Sequence, residues 1–171
     1  SFYPLKNRNE IRKKFGIDDC FVIGFVFKNQ LRKSVPNLLQ GFKTFKEENP
    51  NVKAKLLLHT DWGEVGSGWD IPRYIKEMGI DPEDILSTYV CHACDFYYVA
   101  PYQGEDKNCP SCNKEKTFKT KSSIKGIGEK ELNELYKLSL RFSVFVPFER
   151  YTSLIFVARI CPTRIFCYQC D

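Results

Sequence analysis

Positions 21–27 read Phe-Val-Ile-Gly-Phe-Val-Phe, with no polar side chain. A strand with one wet face alternates apolar and polar residues. An unbroken apolar run fits a strand covered on both faces, as in a parallel sheet. Lys28, Arg32 and Lys33 follow in one short loop. Ser34 is placed to cap a helix, and Pro36 fits its first turn. Val35, Leu38, Leu39, Phe42 and Phe45 then recur at helical spacing, as one stripe facing the sheet. In open α/β sheets, ligands bind at the carboxyl ends of the strands. The basic loop stands at such an end, so its three cations suit an anion, most simply a phosphate.

The same grammar continues on both sides. Ile11 and Phe15 lie one helical turn apart, with Gly16 as a stop. Positions 54–60, centred on Leu56, Leu57 and Leu58, form a second buried strand. Positions 61–69 hold Gly63, Gly66, Gly68 and two tryptophans, without dinucleotide-fingerprint spacing. This stretch reads as a plain connection, or else as a lid near the ligand. Asp70 caps the next helix, whose stripe is Ile71, Tyr74, Ile75 and Met78, and Gly79 ends it. Positions 81–84 turn into a third strand over 85–90. Strand and helix alternate, which implies a parallel sheet with helices outside it.

Cys91-His-Ala-Cys94 and Cys109-Pro-Ser-Cys112 then interrupt the alternation. Each pair can form a tight knuckle, and two knuckles supply four sulfurs to a tetrahedral metal such as zinc. The expected site is therefore Cys91, Cys94, Cys109 and Cys112, with His92 an exposed knuckle residue. A strand over 96–99 joins the pairs, and Pro101 and Gly104 allow the return. Lys114 and Lys116 offset part of the thiolate charge. An insert this short buries little surface. Zinc ligation, worth roughly 10–16 kcal/mol in zinc-finger peptides, can replace the missing core. A thioredoxin-like role is disfavoured, because neither pair opens a helix after a strand.

Beyond the ribbon, positions 118–124 return to the domain. A helix over 129–138 buries Leu132, Leu135 and Tyr136, with Glu129 and Glu131 at its positive end. Positions 142–148 read as a fourth strand. The composition then changes. No lysine follows Lys137, and Glu149 and Asp171 are the only acids left. The tail, 149–171, is read as either a poorly formed terminus or an out-of-frame translation. Of the eight cysteines, Cys20 reads as a buried packing thiol, and Cys161, Cys167 and Cys170 as free thiols. Paired Cys-x-x-Cys spacing argues for metal in a reducing compartment rather than for disulfides, so a cytoplasmic location is expected. No apolar run reaches membrane-spanning length, and positions 1–4 lack a signal-like apolar segment.

These segments, in this order, resemble the carboxyl-terminal, nucleotide-sugar-binding half of group 1 (family 4) GT-B glycosyltransferases. Phe27-Lys28 stands where that family has Gly-Arg, and Lys33-Ser34 where it has Lys-Gly. Positions 35–42 resemble the family's first helix, 49–56 its second strand and approach, and 85–89 its third strand. Positions 131–136 resemble the helix before the donor-sugar strand, and 142–147 that strand. The resemblance implies a Rossmann-like parallel sheet with helices on both faces, half of a GT-B fold. It would cover 1–90 and 117–148, with a zinc ribbon inserted at 91–116. It further implies that Lys28 and Lys33 hold the donor diphosphate, with Arg32 peripheral. The base would sit near 87–89 and 126–128. An amino-terminal half would bring the acceptor. This chain departs from the family in keeping only Glu149 where two glutamates eight positions apart bind the donor sugar and ribose. A donor-binding fragment, inactive by itself, is the expectation.

The rival class is a non-enzymatic zinc-ribbon module that contacts nucleic acid or protein. Lys107, Lys114, Lys116, Lys119, Lys121 and Lys125 surround the ribbon, interleaved with Phe96, Tyr97, Tyr98, Tyr102 and Phe118. Basic and aromatic residues together bind single strands. The plainer reading, a solvated charge run around a small aromatic core, is favoured, and nucleic acid is the disfavoured partner.

Overall fold

The computed structural model describes residues 8–62, 68–120, 126–139 and 141–142. Helix α1 (Arg8–Lys14) leads into strand β1 (Phe21–Val26). Helix α2 (Val35–Glu48), strand β2 (Ala54–His59), helix α3 (Ile71–Glu77) and strand β3 (Ile85–Cys91) follow. Then come β4 (Tyr97–Pro101), β5 (Phe118–Thr120), α4 (Glu129–Leu138) and β6 (Arg141–Phe142). The fold is α/β on a mixed sheet ordered β4-β3-β2-β1-β6, with β5 also paired to β3. Strands β3, β2, β1 and β6 are mutually parallel. Strands β4 and β5 run antiparallel to β3.

The helices cover both faces. The α2 stripe (Val35, Leu38, Leu39, Phe42 and Phe45) is fully buried, as its spacing predicts. It packs with Ile71 and Ile75 of α3 against Phe25, Leu56, Leu58 and Ile85. On the opposite face, Ile11 of α1, Phe15 just after it, and Leu135 and Leu138 of α4 pack on Val22, Leu57, Leu86 and Val90. Alternate residues of each strand thus feed two separate cores. Strand β1 is less completely covered than its composition implies, since Phe21, Ile23 and Val26 are half-buried. The fully buried strand is β3, all seven residues of it. Both of its edges are paired, and both faces are packed.

Two capping expectations resolve differently. Asp70 caps α3 as expected, accepting from the Arg73 amide at 3.2 Å. Ser34 does not cap α2 through its side chain. It sits in the left-handed region, at φ 46° and ψ 49°, and its carbonyl accepts from Asn37 and Leu38. The loop must reverse sharply to bring Pro36 into the first turn, and that reversal sets the conformation of Ser34. A non-glycine residue is strained there. Relief of the left-handed strain outweighs glycine's entropy cost, so Ser34→Gly is expected to raise unfolding stability by roughly 0.5–1 kcal/mol in urea titration. A loss of stability would contradict this backbone.

The expected fourth strand begins as β6, with Ile23 opposite Arg141 and Gly24 opposite Phe142. Its positions 143–148, Glu149 and the 149–171 tail with Cys161, Cys167 and Cys170 lie outside the described residues. So do Lys121, Lys125 and the glycines at 63 and 66. Cys20 is buried, as read from the sequence. No helix among the described residues is long and apolar enough to cross a membrane.

Candidate metal centre and basic loop

Parallel strands deliver their carboxyl ends to one side of the sheet. Here that side carries two features, the cysteine cluster after β3 and the basic loop after β1.

The cluster starts from β3 itself, whose last residue is Cys91. Leu58 is opposite Ser87, so β3 continues past the end of β2. Strand β5 takes over the vacated edge. Tyr89 pairs with Tyr98 on one side and Thr120 on the other. The ribbon strands are thereby continuous with the main sheet. Each Cys-x-x-Cys folds as a knuckle. The Asp95 amide donates to the Cys91 carbonyl at 3.2 Å, and the Asn113 amide to the Cys109 carbonyl at 2.9 Å. Asp95 and Asn113 take φ values of 60° and 57°. Both are residue types that tolerate the left-handed turn after a knuckle. Amides also point at sulfur, Ala93 N–H to Cys91 Sγ at 3.3 Å and Ser111 N–H to Cys109 Sγ at 3.4 Å.

The four Sγ atoms all lie within 4.8 Å of one another. Cys91–Cys112 and Cys94–Cys109 are each 3.7 Å apart. A tetrahedron with metal–sulfur bonds of about 2.3 Å has edges of about 3.8 Å. The cluster is thus dimensioned to hold a metal ion. Its electrostatics point the same way. Burial opposes ionisation of Cys91, but contacts with the Thr117 hydroxyl and the amides of Ala93 and Cys94 outweigh it, bringing the thiol down to about 6. The Phe96 amide favours the Cys94 thiolate. Burial and the three neighbouring cysteines outweigh it and push Cys94 up to about 11. Sulfurs this close ionise together only around a cation. His92 is exposed, as expected.

The ribbon's aromatic rings point inward. Tyr97 and Phe118 are buried. Tyr89 stacks on Phe118 at 5.4 Å, and Tyr102 on Trp62 at 4.0 Å. Lys119 is paired with Asp106 at 2.7 Å, and Lys107 lies over the Tyr89 ring. Phe96, Tyr98, Tyr102 and Phe118 group with Tyr89 around the cysteines, whereas Tyr97 packs into the second main core.

The basic loop has a different character. Lys28 and Arg32 are exposed, and Lys33 is half-buried. Arg32 Nε donates to Gln30 Oε1 at 3.0 Å. None of the three is ion-paired among the described residues, whereas Lys46, Lys53, Lys55 and Lys119 are. The residue that builds this loop was not legible beforehand. Asn29 is fully buried, and its amide brackets the Trp69 backbone, donating to Trp69 O and accepting from Trp69 N–H, both at 2.9 Å. Trp69 Nε1 donates to Leu31 O at 3.0 Å. A Cβ on Gly68 would meet the Asn29 side chain at 2.6 Å, so glycine is required there. Both described tryptophans serve as packing. Trp62 is buried, and Trp69 lies half-buried against the same core.

A shallow cleft of about 590 Å³ lies at the opposite, amino end of the sheet, near Arg8, Arg12, Asp19 and Lys53. Its cations are already engaged. Lys53 pairs with Asp19, and Arg12 donates to three backbone carbonyls. An anion is better served at the carboxyl end.

Fold and cluster together define an α/β protein with a tetracysteine site able to bind a metal. The chain matches no known family model, no curated protein and no solved structure.

Proposed function

We propose that this chain is the donor-binding half of a GT-B glycosyltransferase, carrying a structural zinc ion on its four cysteines. One observation carries the reading. In the order β3-β2-β1-β6, the chain lays strands outward from β1 and then returns to its other side. That reversal, a topological switch point, is where open α/β sheets bind their ligands. The loop leaving β1 at the switch point is the one with Lys28, Arg32 and Lys33. The backbone adds support. Ser34 adopts a left-handed conformation at the position where the resembled family has glycine.

In this reading Lys28 and Lys33 hold the diphosphate of a nucleotide-sugar. As the bond between sugar and diphosphate breaks, negative charge builds on the leaving diphosphate, and two fixed ammonium groups stabilise it there. Lysine gives charge without the bidentate fork of arginine. Arg32 stands at the rim. The acceptor comes from the other half of such an enzyme. Zinc suits the site because four thiolates at tetrahedral spacing match its preferred shell, and it brings no redox chemistry.

The test is calorimetric titration of the zinc-loaded chain with UDP. Charge-assisted phosphate contacts are worth about 1.5–3 kcal/mol, so Lys33→Ala is expected to weaken binding roughly 10- to 100-fold. Lys53→Ala, at the far end of the sheet, is expected to leave it unchanged. No binding by the parent chain, or equal binding by Lys33→Ala, would refute the reading.

A further inference from the structure

The cysteine cluster and the basic loop are joined by packed, hydrogen-bonded residues. Cys91 and Cys109 share a small core with Tyr89 and Phe118. Phe118 pairs with Cys91 and leads to Thr120. The Tyr89 hydroxyl donates to Gly104 O at 3.0 Å and accepts from Gln103 N–H at 2.9 Å. This fixes the segment that ends in Glu105. Glu105 in turn grips Thr120 twice, accepting from its amide at 3.0 Å and its hydroxyl at 2.6 Å. Thr120 Oγ1 accepts from the Trp62 amide at 3.3 Å, and the Trp62 ring stacks on Tyr102. Trp62 lies in the same core as Phe27 and Val35, which flank the basic loop.

We propose that metal at the four cysteines and a diphosphate at the basic loop bind cooperatively, coupled through Thr120 and Trp62. This rests on the donor-site reading above and adds regulation to it. The physical basis is the small size of the ribbon. Its own core has four buried residues, and two of them are metal ligands. Strand β5 spans three residues. Without metal, little holds Phe118 and Thr120 in register with β3. Trp62 then loses its amide acceptor and the fixed position of its stacking partner. The loop between β1 and α2 loses part of the core it rests on. Metal thus favours the loop geometry that receives phosphate. By linkage, phosphate favours metal retention by the same factor.

The experiment uses the full chain and measures zinc affinity by competition with a chromogenic chelator, with and without saturating UDP. The expected result is zinc affinity about tenfold higher with UDP. In Thr120→Val, which leaves every cysteine and every loop cation in place, the factor is expected to fall below about threefold. Equal zinc affinity in both conditions, with UDP binding demonstrated calorimetrically, would overturn the coupling and leave the donor reading standing. No UDP binding by the zinc-loaded chain would overturn both. If zinc loss simply unfolded the whole chain, UDP would still tighten zinc, and Thr120→Val would retain the full factor. That result would overturn the proposed route.

Discussion

Removing the metal from zinc-loaded protein is expected to unfold the ribbon and spare the two-faced α/β core. The thermal midpoint should fall by about 10–20 °C, corresponding to at least about 5 kcal/mol. The estimate is below what zinc supplies in zinc-finger peptides, because β4 keeps its ladder to β3 and its place in the second core when β5 and the knuckles are lost. The loss should be local. Amides of β5 and 107–118 should exchange fast in the chelated protein, while β4, Leu56–Leu58 and the α2 stripe, held by other elements, stay protected. Cys109→Ser should reproduce the loss. Its sulfur is buried between Ser111 N–H and Cys94 Sγ, and serine is a poor zinc ligand. An unchanged midpoint after verified metal removal would show that the small aromatic core suffices alone.

Arg12→Met is expected to destabilise the fold by about 3 kcal/mol in urea unfolding, without altering metal or anion binding. Arg12 is 5% exposed although it is charged and sits on a short helix. Its guanidinium donates to the Ile17 carbonyl at 2.8 Å and to the carbonyls of Cys20 and Leu138. These come from the turn before β1 and the last turn of α4. Arg8 adds a contact to Lys137 O at 2.7 Å. Two cations at the negative end of α4 also complement its dipole. Burial, then the neighbouring Arg8 charge, lowers the Arg12 pKa, yet a guanidinium stays protonated at any working pH. Methionine fills similar volume but removes the guanidinium from the Cys20 and Leu138 carbonyls, while the Ile17 carbonyl keeps the Cys20 amide. The damage is confined to the amino end, remote from both candidate sites. A change under 1 kcal/mol would mean that water replaces the guanidinium at about equal cost.

What could be read from residue order differs from what could not. The α2 stripe, the α3 cap and the cysteine quartet depend on short-range periodicity or spacing. Each involves neighbours one to four positions apart, or a repeated Cys-x-x-Cys, and each appears as expected. Arg12 escapes such reading because its acceptor at Leu138 is 126 positions away. Asn29 escapes for the same reason, since Trp69 is 40 positions on. The continuity of the ribbon with the sheet was also hidden. Nothing in the sequence of β5 reveals that it occupies the edge that β2 leaves open. A cap residue is recognised by type, whereas its backbone angle is set by the loop, so Ser34 offers no side-chain cap. Lys28 is exposed and Lys33 half-buried, and neither is ion-paired among the described residues.

The central claim is that an anion binds at the loop between β1 and α2. The most direct measurement is an amide chemical-shift titration of the zinc-loaded, 15N-labelled chain with UDP. The account predicts the largest changes at positions 28–35, smaller ones around Trp69 and Thr120, and none at Asp19, Asn51 or Lys53 in the amino-end cleft. Changes centred on that cleft, or no changes at millimolar UDP, would contradict it.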